Sequence, residues 1–236
     1  MLFRSRTENP PRGDEEGPGD LLTRLLDARD PQTGEALGEA DIRANILTFI
    51  GAGHETTANA LTWSLYLLSG DPAWRAEVEA EVDGWDEDGD VASLARVRAT
   101  LDEAMRLYPP APSLSREAIG PDQLGEQYVP AGAIVIVAPW VLHRHRKLWD
   151  APEVFDPGRF MPGRRESIDR FAYLPFGAGP RICIGMGFAL QEATLMLATI
   201  LRQWRLDLAP GHVVEPVQRV TLKPKGGLPM ILRRRT

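Results

Sequence analysis

The chain has 236 residues, 43% of them hydrophobic and 25% charged, which suits one globular unit with a real core. A net charge of -6, with no basic patch interleaved with aromatics, argues against a nucleic-acid partner. The single cysteine excludes an intrachain disulfide and fits a reducing compartment. Met1 to Arg6 leads into no apolar segment, and the longest apolar region, Ile46 to Leu68, is interrupted by His54, Glu55 and Asn59. No signal peptide or membrane segment is therefore expected.

In chain order, Pro, Gly and acidic residues crowd Glu8 to Asp20, so residues 1–19 read as a disordered lead-in. Leu21, Leu22, Leu25 and Leu26 predict a short amphipathic helix, broken by Asp30-Pro31-Gln32-Thr33-Gly34. A helical pattern then runs from about Glu39 to Ser69, roughly 46 Å at 1.5 Å per residue. Asp71-Pro72 supplies the cap and first-turn proline of the next helix, with Trp74, Val78 and Val82 on it. After an acidic loop, Leu94, Val97, Leu101, Met105 and Tyr108 mark another helix, stopped by Pro109-Pro110. Short strands are expected at Leu114 to Ala118 and Ile134 to Ala138. Ala151 to Pro175 has no helical or strand period, a length of irregular chain that calls for a functional reason. A helix to about Gln203 and strands near Leu206, Val217 and Ile231 complete a mainly α chain with small β-sheets, an α+β class.

Three constellations carry chemistry. Ala52-Gly53-His54-Glu55-Thr56-Thr57 lies midway along the long helix although its propensity is poor. Its threonines are expected to bond preceding carbonyls and loosen the helix there, beside the small Ala52 and Gly53. His54-Glu55 begins a His-Glu-x-x-His zinc pattern, but Ala58 stands where the second histidine belongs. Glu103 and Arg106 share a helix face, where an isolated pair is usually a surface ion pair worth about 0–1 kcal/mol. Phe176-Gly177-Ala178-Gly179-Pro180-Arg181-Ile182-Cys183-Ile184-Gly185 places the sole cysteine just before a helix, whose N-terminus favours negative charge. A lone buried thiol is more often a small hydrophobe. His143 and His145 lack a third ligand nearby and make a poor metal pair.

Phe176, Gly179, Arg181, Cys183 and Gly185 form the pattern Phe-x-x-Gly-x-Arg-x-Cys-x-Gly, which resembles the cysteine loop of the haem-thiolate monooxygenases, the cytochrome P450 family. The resemblance extends from about Asp20 to the end of the chain. It implies the C-terminal part of that fold over 20–236: a long oxygen-activation helix, a Glu-x-x-Arg helix, an irregular meander, the cysteine loop and its helix. Family members are roughly twice this length, so the resemblance implies that the N-terminal half is absent. One flank of the long helix, including Phe49 and Trp63 or their neighbours, is then expected to face water.

By the same resemblance Cys183 is the axial ligand of the iron of haem b (iron protoporphyrin IX), and Phe176 packs by the sulfur. Arg181 and Arg116 meet the propionates, and Gly179 and Gly185 allow close backbone approach. Ala52 and Gly53 leave room for dioxygen, while Glu55 and Thr56 organise water and protons. Arg159, in Phe155-Asp156-Pro157-Gly158-Arg159-Phe160, completes a structural triad with Glu103 and Arg106; the family's commonest version has an acid at the place of Gly158. The implied reaction is monooxygenation of an apolar small molecule by O2. The implied electron donor is an acidic ferredoxin or flavoprotein reductase, met by the face that carries Arg164, Arg165 and Arg170. A bacterial, cytoplasmic setting is expected. Two alternatives stay open at this level: a haem-binding or electron-transfer module, and a truncated, non-catalytic remnant.

Overall fold

A computed structural model describes residues 20–86 and 88–235. The lead-in expected over 1–19 lies outside the described residues. The chain divides into two compact units, Met1–Ala52 and Gly53–Thr236. In the first, α1 (Leu21–Asp27) is capped by Asp20, whose carboxylate accepts from the Thr23 N–H and hydroxyl, 2.9 Å each. Asp30 then closes a turn by accepting from the Gln32 and Thr33 amides at 2.8 Å.

The long helix is present as α2 (Glu39–Gly70), about 48 Å by its rise per residue. It continues unbroken through Ala52 to Thr57, so the loosening expected there does not interrupt it. Asp71 caps α3 (Pro72–Asp83) by accepting from the Trp74 N–H at 2.9 Å. The next helix, α4 (Ala95–Leu107), has no side-chain cap of its own at Leu94. The Glu81 carboxylate of α3 takes over, accepting from the Arg96 and Val97 amides at 2.9 Å. That long-range cap fixes the two helices against each other.

In the second unit, α4 is buried almost all round and forms its middle. One face packs Leu94, Val97 and Leu101 against Leu61 and Leu68 of α2, Val78 and Val82 of α3, and Leu197 and Leu201 of α6 (Met186–Gln203). Another packs Ala99 against Trp149, Phe160 and Ala172, so the irregular stretch is a wall of the core. Its only regular pieces are single 3-10 turns such as Pro157–Phe160 and Arg165–Ser167.

Eight short strands make four antiparallel pairs among the described residues. β1 (Leu114–Glu117) pairs with β4 (Ile134–Val137), and β2 (Asp122–Leu124) with β3 (Gln127–Val129). β5 (Trp204–Leu208) pairs with β8 (Met230–Arg234), and β6 (Pro216–Gln218) with β7 (Leu222–Pro224). β2, β3, β7 and the one-turn α5 (Pro139–Leu142) go beyond the sequence expectation. No described helix is long and apolar enough to cross a membrane.

One expectation is corrected here. Trp63 does not face water: it is fully buried, its ring stacks on Tyr108 (centroids 4.0 Å apart, planes at 7°), and its Nε1–H donates to Leu222 O at 3.1 Å. Phe49 is half-buried, and its neighbours Leu47 and Ile50 are the exposed residues.

Candidate active site

The cysteine loop is built on glycine conformations. Gly177 and Gly179 have φ of 73° and 75°, a region that side chains rarely adopt. A Cβ on Gly177 would lie 3.4 Å from Leu114 Cδ1, which places the loop directly against β1. The turn closes where the Cys183 N–H donates to Phe176 O at 3.0 Å. Cys183 is exposed, Phe176 is half-buried, and Gly185 caps α6 with its Cβ position 3.9 Å from Cys183 Sγ. The sulfur is thus presented outward, just ahead of a helix N-terminus.

Arg116 follows Leu114 by two along β1, so both project from the same strand face. It is exposed and its Nη1–H donates to Ser115 O at 2.8 Å. Arg181 is exposed within the loop itself. An outward thiol, two solvent-facing guanidiniums and the exposed apolar side chains of Ile182, Ile184 and Phe188 form a donor set that fits a haem: a soft ligand for iron, cations for carboxylates, apolar contact for the ring.

Ala52 and Gly53 are exposed on α2, and a Cβ on Gly53 would meet nothing within 4 Å. Glu55 and Thr56 are half-buried. The Glu55 carboxylate meets the β6–β7 hairpin: Lys223 Nζ donates to its Oε1 at 3.0 Å. Hydrogen bonds from Lys223 first and then Thr221 hold the Glu55 carboxyl below its ordinary value, and charge on Lys223 and His54 adds to this. Sequence reasoning missed Lys223, because a lysine in a three-residue strand carries no local signal.

Glu103 and Arg106 are both fully buried, so the surface reading of this pair fails. Arg106 Nε and Nη2 donate to the two carboxylate oxygens of Glu103 at 2.7 Å each. Its remaining N–H groups donate to His143 O (2.9 Å), Pro152 O (2.6 Å) and Val154 O (3.0 Å). The Asp156 N–H donates to Glu103 Oε1 at 2.8 Å, and Arg159 Nε stands 3.6 Å from the same oxygen. Burial pushes the Glu103 carboxyl up, while Arg106, the Asp156 amide and Arg159 oppose that. At Gly158 a Cβ would come within 2.9 Å of Arg164 Nη1 and Asp156 Oδ1, so a larger residue there requires these two side chains, which pair through Nη2 and Oδ2 at 3.1 Å, to shift.

Behind the cysteine loop a cavity of about 520 Å³ is lined by Arg98, Arg165, Phe176, Ile182 and Met186, among others. Its arginines are engaged: Arg98 and Arg165 both pair with the buried Asp102, at 3.0 and 2.5 Å. Arg170 lies over the Phe171 ring at 4.4 Å. His143 belongs to no metal pair, because its Nε2 accepts the Leu174 N–H at 2.8 Å.

The family model for cytochrome P450 matches residues 2–230. The chain belongs to the cytochrome P450 family. It is 39% identical over 209 residues to cyclooctatin synthase of Streptomyces melanosporofaciens, covering 86% of this chain and 46% of that one. It is 37% identical over 233 residues to pentalenene oxygenase of Streptomyces avermitilis, covering 95% and 51%. The crystal structure of a cytochrome P450 (CYP102L1) superposes with a TM-score of 0.89 at 35% identity, over 99% of this chain and 54% of that one. The cytochrome P450DA haem domain gives 0.89 and 35% over 100% and 52%. This P450 chain therefore spans about half the length of the curated relatives it matches.

Proposed function

We propose that this chain forms the thiolate-bearing part of a haem monooxygenase, which converts an apolar substrate R–H, O2, two electrons and two protons into R–OH and water. The observation that carries the reading is the outward thiol of Cys183 in its glycine-shaped loop, between exposed arginines and apolar side chains. Among the relatives, pentalenene oxygenase is named for an oxygenation, and that reaction class is what we carry over.

When bound, a thiolate-ligated haem b supplies dioxygen binding and reductive O–O cleavage. Cys183 would hold its iron through the thiolate, with Phe176 packed by the sulfur, and Gly179 and Gly185 would keep the backbone close. Arg116 and Arg181 would hold the propionates. Ala52 and Gly53 would leave space over the α2 surface for O2, and Glu55 and Thr56 would hold water there and hand on protons. The Glu103–Arg106–Arg159 cluster does no chemistry; it pins the irregular stretch that leads into the loop. The electron donor is an acidic ferredoxin or flavoprotein, docked near Arg164, Arg165 and Arg170. Two of these guanidiniums already serve Asp156 and Asp102, which leaves Arg170 as the freest charge to steer it. The bacterial relatives support a cytoplasmic setting.

The test is absorption of the reduced carbon monoxide complex of the haem-loaded protein, in which thiolate ligation shifts the Soret band far to the red. Cys183→Ala is expected to abolish the shifted band. Its survival in that variant would remove Cys183 as the ligand.

A further inference from the structure

One stripe of α2 reads three consecutive residues of the β6–β7 hairpin. Glu55, Asn59 and Trp63 are four apart and lie on one helix face. Asn59 Nδ2–H donates to Thr221 Oγ1 at 3.2 Å, Trp63 Nε1–H to Leu222 O at 3.1 Å, and Lys223 Nζ to Glu55 Oε1 at 3.0 Å. The first two contacts are buried and fix the hairpin in register. The third is different: the side chains of Lys223 and Glu55 are 41% and 40% exposed, so this pair can open while the other two hold.

We propose that Lys223 is a positioning residue for Glu55: from the hairpin it fixes where that carboxylate sits on α2, and so ties proton delivery to the placement of the hairpin. The inference rests on the reading of Glu55 as a proton-delivery group. The groups that face Glu55 are Lys223, the Thr221 hydroxyl and His54 on its own helix. With Lys223 engaged, the carboxylate is held ionised. With Lys223 withdrawn, two of the influences that oppose protonation vanish, its hydrogen bond and its charge, and the group takes up a proton at higher pH. A pair of this kind gives the hairpin control over an acid that the sequence places beside Thr56.

The experiment titrates Glu55 directly in the full chain labelled with 13C at glutamate carboxyls, its resonance assigned by loss in Glu55→Gln. Lys223→Gln is expected to move the Glu55 titration to higher pH, and Lys223→Arg to leave it near the wild-type position. A urea midpoint close to that of the wild type reports that the buried contacts persist. In a haem-loaded, full-length context, peroxide released per O2 consumed is then followed against pH; Lys223→Gln is expected to displace that profile and Lys223→Arg to restore it. An unmoved Glu55 titration in Lys223→Gln overturns the inference. So does an unmoved peroxide profile in Lys223→Gln when Glu55→Gln alters that profile. A Glu55→Gln enzyme with unchanged coupling overturns instead the reading of Glu55 as a proton carrier.

Discussion

Nε2 of the fully buried His143 accepts the backbone N–H of Leu174 at 2.8 Å, two residues before Phe176 opens the cysteine loop. The carbonyl of the same histidine accepts from Arg106, so one residue joins the α4 ion cluster to the loop's approach. An accepting Nε2 requires the neutral ring with its proton on Nδ1. Desolvation pushes the His143 pKa down to about 4, from an ordinary 6.5.

Acid sensitivity follows from that burial. The unfolded ring takes its proton near its ordinary pKa, while the folded ring resists until about 4, so the unfolded state binds more protons in between. Stability is therefore lost as pH falls through this window, by roughly 3 kcal/mol in all. His143→Gln keeps an acceptor for Leu174 and does not titrate. Urea unfolding at neutral pH and near the lower edge of the window is expected to show a smaller acid loss for the variant. Parallel losses in both proteins would mean that His143 is not what acid attacks.

Members of the α4 cluster differ in what they hold. Arg106 satisfies Glu103 and three backbone carbonyls with no exposure to water, so Arg106→Ala strands a buried carboxylate and is expected to cost about 3–5 kcal/mol. Glu103→Ala is expected to cost as much, because it strands the guanidinium. Arg159 makes longer ion contacts, 3.6 Å with Glu103 and 3.9 Å with Asp156, and a hydrogen bond to Ala151 O at 3.1 Å. Its alanine variant should lose less, about 1–3 kcal/mol. Denaturant midpoints rank the three; a larger loss at Arg159 than at Arg106 would contradict the geometry.

Thr56→Ala in a haem-loaded, full-length context is expected to raise peroxide release several-fold and lower product per O2, with little change in the carbon monoxide spectrum. A half-buried threonine on a continuous helix is a mild structural site, so a change confined to coupling separates proton delivery from stability. Unchanged coupling would leave Thr56 a helix residue only.

How much of this was legible in the sequence depended on the range of the forces involved. Helices were read well, since Asp71-Pro72, Pro109-Pro110 and the spacing of Val97, Leu101 and Met105 are local signals, and α2, α3 and α4 start and stop within a residue or two of them. Three-residue strands such as β2 and β7 are too short for alternation to show, and their pairing is decided by partners elsewhere. The cysteine loop was legible as a motif; its support on Leu114 was not. The Glu81 cap on α4, the Lys223 contact to Glu55 and the burial of Trp63 by Tyr108 join residues distant in sequence, and no periodicity encodes them. Trp63 misled because the expectation rested on the chain's length against the family's, whereas Tyr108 and the β6–β7 hairpin of this same chain cover it.

Expressed alone, these 236 residues are expected to bind haem poorly and to uncouple. Cys183 is exposed, and beside it Ile184 and Phe188 are 87% and 73% exposed, so the surface offered to a haem is apolar and open to solvent. The relatives carry about as much chain again as this one. With nothing over that surface, apolar side chains meet those of other copies, and self-association is expected. Any O2 reduced there sees bulk water, so electrons leave as peroxide or water instead of entering product. Size-exclusion chromatography, the carbon monoxide spectrum and product per O2 with a surrogate reductase make the measurement. A monodisperse monomer with a fully shifted Soret band and tight coupling would overturn this expectation, and would show that the α2 segment and the cysteine loop suffice to enclose the reaction.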